Sequence, residues 1–325
     1  MAKLWSQQLA QGFTKPKQLL QFLDVEITNY SIAADKEFAT RVPLSFAEKM
    51  QKGNINCPLL KQVLPIADEM EKKDSYLLDP LQEQQANPIR GLLHKYHSRA
   101  LLTLAPSCAI NCRYCFRRHF PYDDNKITPD NWQSIINYLA DEPSINEVIF
   151  SGGDPLMVKN SRLAKYIADL EQVASIKTLR LHSRMPVVLP ARVDLELINL
   201  LAKSRFKVVL VIHCNHPNEL CCHTAKIFKA LKEVGITLLN QSVLLKGVND
   251  KAEILEELSQ KLFEQDIMPY YLHLLDKVAG AAHFDLPLAK AKQIYNKLQI
   301  LLAGYLVPKL VCERAGVKHK SIITS

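Results

Sequence analysis

The sequence predicts an α/β fold: an open, partial (β/α)6 barrel behind a helical N-terminal region, followed by a short tail. Three observations predict it. Short apolar runs alternate with stretches of helical spacing over residues 96–305, the order that builds parallel βαβ units. Six such runs precede the last helical stretch, too few to close as an eight-stranded barrel does. Polar motifs follow the C-terminal ends of the runs, where loops of such folds carry their sites.

Residues 1–95 read as a helical region and a connector. LWSQQLAQGF, PKQLLQFLDV and SFAEKMQKG place apolar residues at helical spacing with polar interruptions. From NCPLLKQVLPIADEM to DPLQEQQANPIRG the composition turns to Pro, Asp, Asn and Gln, which predicts an extended connector. Residues 96–305 form the barrel. Its strands are ALLTL (100–104), NEVIF (146–150), KTLRLH (177–182), FKVVLVIH (206–213), ITLLNQ (236–241) and PYYLHLL (269–275). Helices are expected near 129–141, 160–173, 193–204, 222–234, 251–265 and 287–303. Residues 306–325 open with a last apolar run, LVPKLVC (306–312), and end as a tail.

Composition narrows the function classes. Of 325 residues, 48% are hydrophobic, enough for a large core. The formal charge is +8, yet no run of five or six like charges occurs, so no nucleic-acid tail is expected. The N-terminus lacks the apolar region of a secretory signal, and no stretch of eighteen apolar residues occurs, so no membrane span and a cytoplasmic location are expected. Three of the eight cysteines fall between 108 and 115. In a reducing compartment such a group points to metal or catalysis before disulfides.

That group reads Ser107-Cys108-Ala109-Ile110-Asn111-Cys112-Arg113-Tyr114-Cys115-Phe116, spaced C-x3-C-x2-C. Thiolate sulfur is the soft ligand that iron–sulfur clusters use. Three cysteines leave one iron of a [4Fe–4S] cluster open to a small molecule. After the first strand of a βα series, the segment resembles the signature of the radical S-adenosylmethionine (SAM) superfamily. The resemblance implies a cluster on Cys108, Cys112 and Cys115, with SAM's methionine portion on the open iron. The alternative is zinc, with His119 completing a Cys3His set. Ser151-Gly152-Gly153-Asp154 follows the strand NEVIF. Glycine lets a backbone approach a ligand closely. The resemblance implies that this turn, GGE-like in that superfamily and GGD here, binds the SAM amino group.

The wider sequence is more specific. RVPLSF, DPLQEQ, GLLHKYHSRALL, NCRYCFRRHFPY, SGGDPLM, HSRMPVVLPAR, NHPNE, LLNQSVLL, VNDKAE, MPYYLHLLDKVAGAAHF and GYLVPKL occur in that order. From about residue 39 to 320 the chain resembles the lysine 2,3-aminomutase family. It is most similar to the short bacterial branch, the elongation factor P (R)-β-lysylation proteins. The resemblance implies an isomerase that converts L-lysine to (R)-β-lysine and uses pyridoxal 5′-phosphate (PLP) beside SAM and the cluster. The family's PLP lysine follows the last strand, and counting from Val307-Pro308 gives Lys320. Lys318 competes, because the glycine-rich GGGGK of the long members is not kept. A lysine is needed there because its amine bonds the cofactor's aldehyde.

The same resemblance assigns the remaining positions. Tyr96 faces the pyridine ring, and Lys95 and Arg99 face the phosphate, as charge-assisted donors do. Asp276 and Glu313 match the two acids for the substrate's side-chain ammonium, Glu313 standing where the family has aspartate. Arg117 matches the residue on the α-carboxylate. Ser183, Arg184, His213 and Gln241 fall near the ribose, adenine and PLP groups; strand-end polar residues can instead cap the next helix.

Free L-lysine is the implied substrate, and a flavodoxin or ferredoxin the implied electron donor. A synthetase-like partner would attach β-lysine to elongation factor P. Long catabolic members continue into a cysteine-containing zinc tail. This sequence ends at Ser325, which favours the short branch. The other readings are a catabolic or biosynthetic lysine 2,3-aminomutase, and a radical SAM enzyme that modifies RNA or protein directly.

Overall fold

The computed structural model describes residues 4–26 and 30–324. Nine strands form one sheet in chain order. They are β1 (Leu92–Tyr96), β2 (Arg99–Ala105), β3 (Glu147–Gly152), β4 (Thr178–Ser183), β5 (Lys207–His213), β6 (Thr237–Val243), β7 (Met268–His273), β8 (Lys309–Cys312) and β9 (Ser321–Ile322). Strands β2 to β8 pair in parallel. The edge strands β1 and β9 pair antiparallel.

The six expected strands are β2 to β7, and the last apolar run supplies β8. Two strands lie where none was expected. β1 ends the stretch read as a connector, and β9 follows Lys320. Both edges of the open barrel are thus covered by short antiparallel strands, a common way of blunting an exposed edge.

The intervening helices fold for local reasons. Pro129–Asp141 starts with a capping box: Asn131 N donates to Thr128 Oγ1 at 3.3 Å, and Thr128 N to Asn131 Oδ1 at 2.8 Å. Proline at its first position needs no N–H there. Trp132, Ile135 and Leu139 turn inward at helical spacing. Leu195–Lys203 is capped by Asp194, which accepts from Leu197 N at 2.8 Å. In the strands the period is two. On β6, Leu238, Asn240 and Ser242 are buried, while Leu239, Gln241 and Val243 face the barrel cavity.

The N-terminal region packs on the barrel through one apolar core that joins Leu19, Leu20, Phe46 and Leu60 to Leu102, Phe150, Leu181 and Leu210. It also grips the cysteine loop. Arg113, fully buried, donates to both oxygens of Glu69 at 2.8 and 2.6 Å, to Ala34 O at 3.1 Å and to the Phe38 carbonyl. Arg118 reaches the same Glu69 at 2.9 Å. Arg41 donates to Cys108 O at 2.9 Å, and Asn111 to Ala39 O at 2.7 Å. A buried acid shared by two arginines on the loop makes this region a brace for it.

The connector then runs as a strap against the loop after β7. Leu77 N donates to Lys277 O and Ala279 N to Leu77 O, both at 2.9 Å. Tyr76 Oη donates to Asp285 at 2.6 Å. The strap turns at Glu83–Ala86, where Asp79 accepts from Glu83 N at 3.1 Å.

Candidate active site

The inner face of the sheet encloses a cavity of about 570 Å³. The three cysteines, the glycine turn, Lys320 and every other residue assigned above to the cluster, SAM, PLP or lysine line it. Lys318 and His119 do not: Lys318 is exposed, and His119 points Nε2 at Ala279 O, 3.2 Å away.

At one end lies the cysteine loop after β2. Burial, with repulsion from Cys112, pushes the Cys115 thiol up to about 11. A thiolate in such a place needs cationic company. Arg184 supplies it for Cys112, with Nη1 2.7 Å from Sγ. The same guanidinium meets Tyr114 Oη at 2.6 Å, Gln62 at 2.7 Å and Glu219 at 2.8 Å. Arg184 therefore sits beside the cysteines. His213 lies against Tyr114, Nε2 to Oη 3.2 Å, and burial with the nearby Arg184 charge keeps its imidazole neutral, lowered to about 3.

The glycine turn presses on this loop. Gly152 has φ +115°, and a Cβ there would lie 2.8 Å from Ala105 O. At Gly153 a Cβ would run into the Ser107 backbone. Asp154 has no free acceptor to spare: its carboxylate accepts from Ser183 Oγ (2.7 Å), Arg184 N (2.7 Å), Leu156 N (3.0 Å) and Met185 N (3.2 Å). Asp154 and Ser183 thus pin the end of β3 to the end of β4. Gln241 carries its amide into the cavity from β6.

At the other end five side chains of alternating charge follow one another. Arg117 meets Glu83 at 2.6 and 2.8 Å, Glu83 meets Lys95 at 3.2 Å, Lys95 meets Glu313 at 3.4 Å, and Glu313 meets Lys320 at 2.7 Å. Against the cost of burial, Lys320 and then Lys95 hold the Glu313 carboxyl down to about 2. Asp276 stands outside this chain of pairs. Burial and the Glu313 charge raise its carboxyl to about 7, with Lys320 and Lys95 opposing. The Arg99 guanidinium stacks 4.2 Å from the Tyr96 ring centroid. His182 and His273 each bury an Nε2 with no partner among the described residues. Burial holds both imidazoles well below their usual value, so they are neutral.

These residues fit the groups in question. The three thiols share a wall with an arginine donor, as a cluster held by thiolates requires. The Gly152–Gly153 turn lines the same cavity, packed closely against the cysteine loop. Lys320, Tyr96, Arg99 and two unsatisfied imidazole nitrogens offer an amine, an aromatic face, a cation and further polar contacts to PLP. The zinc alternative is not assembled. His119, the fourth ligand it needs, does not line the cavity with the three cysteines, and its Nε2 meets Ala279 O at 3.2 Å.

A three-cysteine loop heading a run of parallel strands defines the class, a radical SAM enzyme; residues 102–258 match the family model described as the Radical SAM superfamily. The chain is 48% identical over 320 residues to an L-lysine 2,3-aminomutase of Escherichia coli, covering 98% of this chain and 93% of that one. It is 49% identical to one of Haemophilus influenzae, covering 98% and 95%. A Clostridium subterminale L-lysine 2,3-aminomutase is 38% identical over 80% of this chain and 63% of its own length. The chain belongs to the lysine 2,3-aminomutase family of radical SAM enzymes, and that membership implies a [4Fe–4S] cluster, SAM and PLP. No helix among the described residues is long and apolar enough to cross a membrane.

Sequence reasoning passed over several residues of this site. Glu83 lay in the motif DPLQEQ and Glu219 in NHPNE, both quoted for resemblance but given no partner. His182 and His273 read as strand residues. An acidic residue inside a Pro- and Gln-rich connector was the available signal for Glu83.

Proposed function

We propose that the protein is an L-lysine 2,3-aminomutase, an isomerase that moves the amino group of L-lysine from Cα to Cβ and yields (R)-β-lysine. The observation that carries this reading is the position of Asp276. It is an unpaired carboxylate in the cavity that also holds Lys320 and the three cysteines. A substrate carrying a glutamate-like side chain would be repelled there, whereas a side-chain ammonium gains the partner that a buried charge requires.

Cys108, Cys112 and Cys115 hold the cluster, the turn at Gly152–Gly153 lies against SAM, and Lys320, Tyr96, Lys95 and Arg99 hold PLP. When bound, these groups supply a hydrogen-abstracting radical and a carbonyl that carries the migrating nitrogen and delocalises spin. The protein's own part is orientation. Asp276 accepts from the ε-ammonium and Arg117 donates to the α-carboxylate, so two ionic contacts set Cβ at a fixed place. The amine of Lys320, when not bonded to PLP, donates a hydrogen bond to the Glu313 carboxylate. The strap at 76–86 keeps water from the cavity wall that Glu83 occupies.

In this reading residues 1–95 brace the site, 96–305 carry the SAM and substrate positions, and 306–325 carry the PLP lysine. An electron donor of the flavodoxin or ferredoxin type reduces the cluster. The product is passed to a synthetase-like protein that attaches it to elongation factor P; the likeness to the short bacterial branch supports this destination. The test is an anaerobic assay of reconstituted protein with SAM, PLP, dithionite and L-lysine. β-Lysine read by mass-resolved chromatography is expected. Its absence with a confirmed cluster and bound PLP would remove the lysine reading.

A further inference from the structure

Arg117 is held more firmly than a ligand-binding arginine needs for charge alone. A guanidinium has five N–H donors. Glu83 takes two of them, from Nε and Nη2, at 2.6 and 2.8 Å. Ser151 Oγ accepts from Nη1 at 3.0 Å. The Phe116 ring covers one face, its centroid 4.9 Å from Cζ. Nη1 makes a second, longer contact to Gly152 O at 3.5 Å, so what remains is one Nη2 hydrogen. A carboxylate can take that remaining N–H as a charge-assisted hydrogen bond.

Glu83 itself is 4% exposed. It is the only acid among the described residues within ion-pair distance of Arg117, and it also faces Lys95 at 3.2 Å. It comes from the strap, not the barrel, and Asp79 pins its backbone N–H.

We propose that Glu83 is a positioning residue for the amino-acid substrate, holding the Arg117 guanidinium so that its remaining Nη2–H meets the α-carboxylate. The inference rests on the lysine reading given above. It predicts the opposite sign from simple electrostatics. Removing an anion beside Arg117 and Lys95 leaves Arg117 without its counter-charge and Lys95 with Glu313 alone, which would attract a carboxylate more strongly. Loss of positioning weakens it instead. Lys95 is held by the same carboxylate, so one residue of the strap sets both cations of this wall.

The test uses PLP-loaded, cluster-reconstituted protein without reductant, so that no turnover occurs. The change in PLP absorbance on titration gives the dissociation constants of L-lysine and of L-lysinamide, which keeps both amines and lacks the carboxylate. Glu83→Gln is expected to weaken L-lysine by about ten-fold or more, the value of a charge-assisted hydrogen bond, and to leave L-lysinamide unchanged. In an Arg117→Lys background the same substitution should add no further loss. Equal weakening of both ligands would show a merely structural role and overturn the inference. Tighter or unchanged L-lysine binding would overturn it too. If wild-type protein with bound PLP gives no response to L-lysine, the lysine reading fails and takes the inference with it. Should Glu83→Gln not fold, Asp79→Ala carries the test, with a smaller loss confined to L-lysine; equal loss for both ligands again overturns it.

Discussion

Lys320 donates its amine to Glu313 Oε2 at 2.7 Å, which brings the tail of the chain into the barrel cavity. Lys318, two residues earlier, is exposed and outside that cavity. Lys320→Ala should therefore lose the visible absorbance of lysine-bound PLP while keeping its iron and sulfide. Lys318→Ala should keep both. Absorbance that survives in the first variant and vanishes in the second would transfer the role to Lys318.

Asp276 has a carboxyl raised to about 7 by burial and by the Glu313 charge. Below that pH it is protonated and pairs poorly with an ammonium; above it, it is ionised. L-Lysine binding should strengthen as pH rises through about 7. Asp276→Asn should abolish that dependence and raise the KM for lysine about ten- to hundred-fold at pH 8, as expected for losing a charged hydrogen bond. The shift also bears on folding. The folded-state pKa lies above the ordinary aspartate value of 3.8, so this group's contribution is fully present below 3.8 and lost as pH rises through about 7. Asp276→Asn should flatten that part of the stability profile, measured by urea unfolding of ligand-free protein. An unchanged pH profile of binding would remove the ammonium role.

Glu69 is shared by Arg113 and Arg118, and all three side chains are almost fully buried. Glu69→Ala leaves two arginines without a counter-charge. Breaking a buried ion pair by removing one partner costs about 3–5 kcal/mol, and chemical denaturation should show a loss of that order. Iron incorporation should fall with it, because both arginines belong to the cysteine loop. Wild-type stability in the variant would refute the bracing role.

Gly153→Ala drives a methyl group into the Ser107 backbone next to Cys108. Reconstituted iron and sulfide should drop relative to wild type, with the helical circular-dichroism signal preserved. Gly304→Ala, where a Cβ meets nothing within 4 Å, serves as the control and should incorporate a full cluster. Full incorporation in Gly153→Ala would contradict the close contact.

The legible parts of this molecule were those with a period or a motif. Strands such as FKVVLVIH announce themselves through β-branched apolar runs, and the barrel helices through longer stretches of helical spacing between them. β1 stayed hidden because LLHKY ends in polar residues and sits behind a connector. β9 stayed hidden because two residues carry no period. The residues singled out by motif share one cavity because most of those motifs lie at strand ends or on the loops beyond them. Their partners were not. Glu83 and Glu69 acquire their roles by meeting arginines 34 and 44 residues away, and nothing local marks such a meeting. For Asp154 and Ser183, carried here by likeness to the glycine turn and the HSR motif, the coordinates supply a further task, tying two strand ends together.

Among the described residues every neighbouring pair of strands in the sheet shares backbone hydrogen bonds, and its two edges meet at a seam without a β-ladder. Lys95 projects from one edge, β1, and Glu313 follows β8 beside the other, so their 3.4 Å contact bridges the seam. Where the ladder stops, the closure is made by this ion pair and by the strap, whose Leu77 backbone bonds the loop after β7. Salt and the charge of an incoming phosphate both compete for Lys95, so the ion pair is the part of that closure which ions oppose.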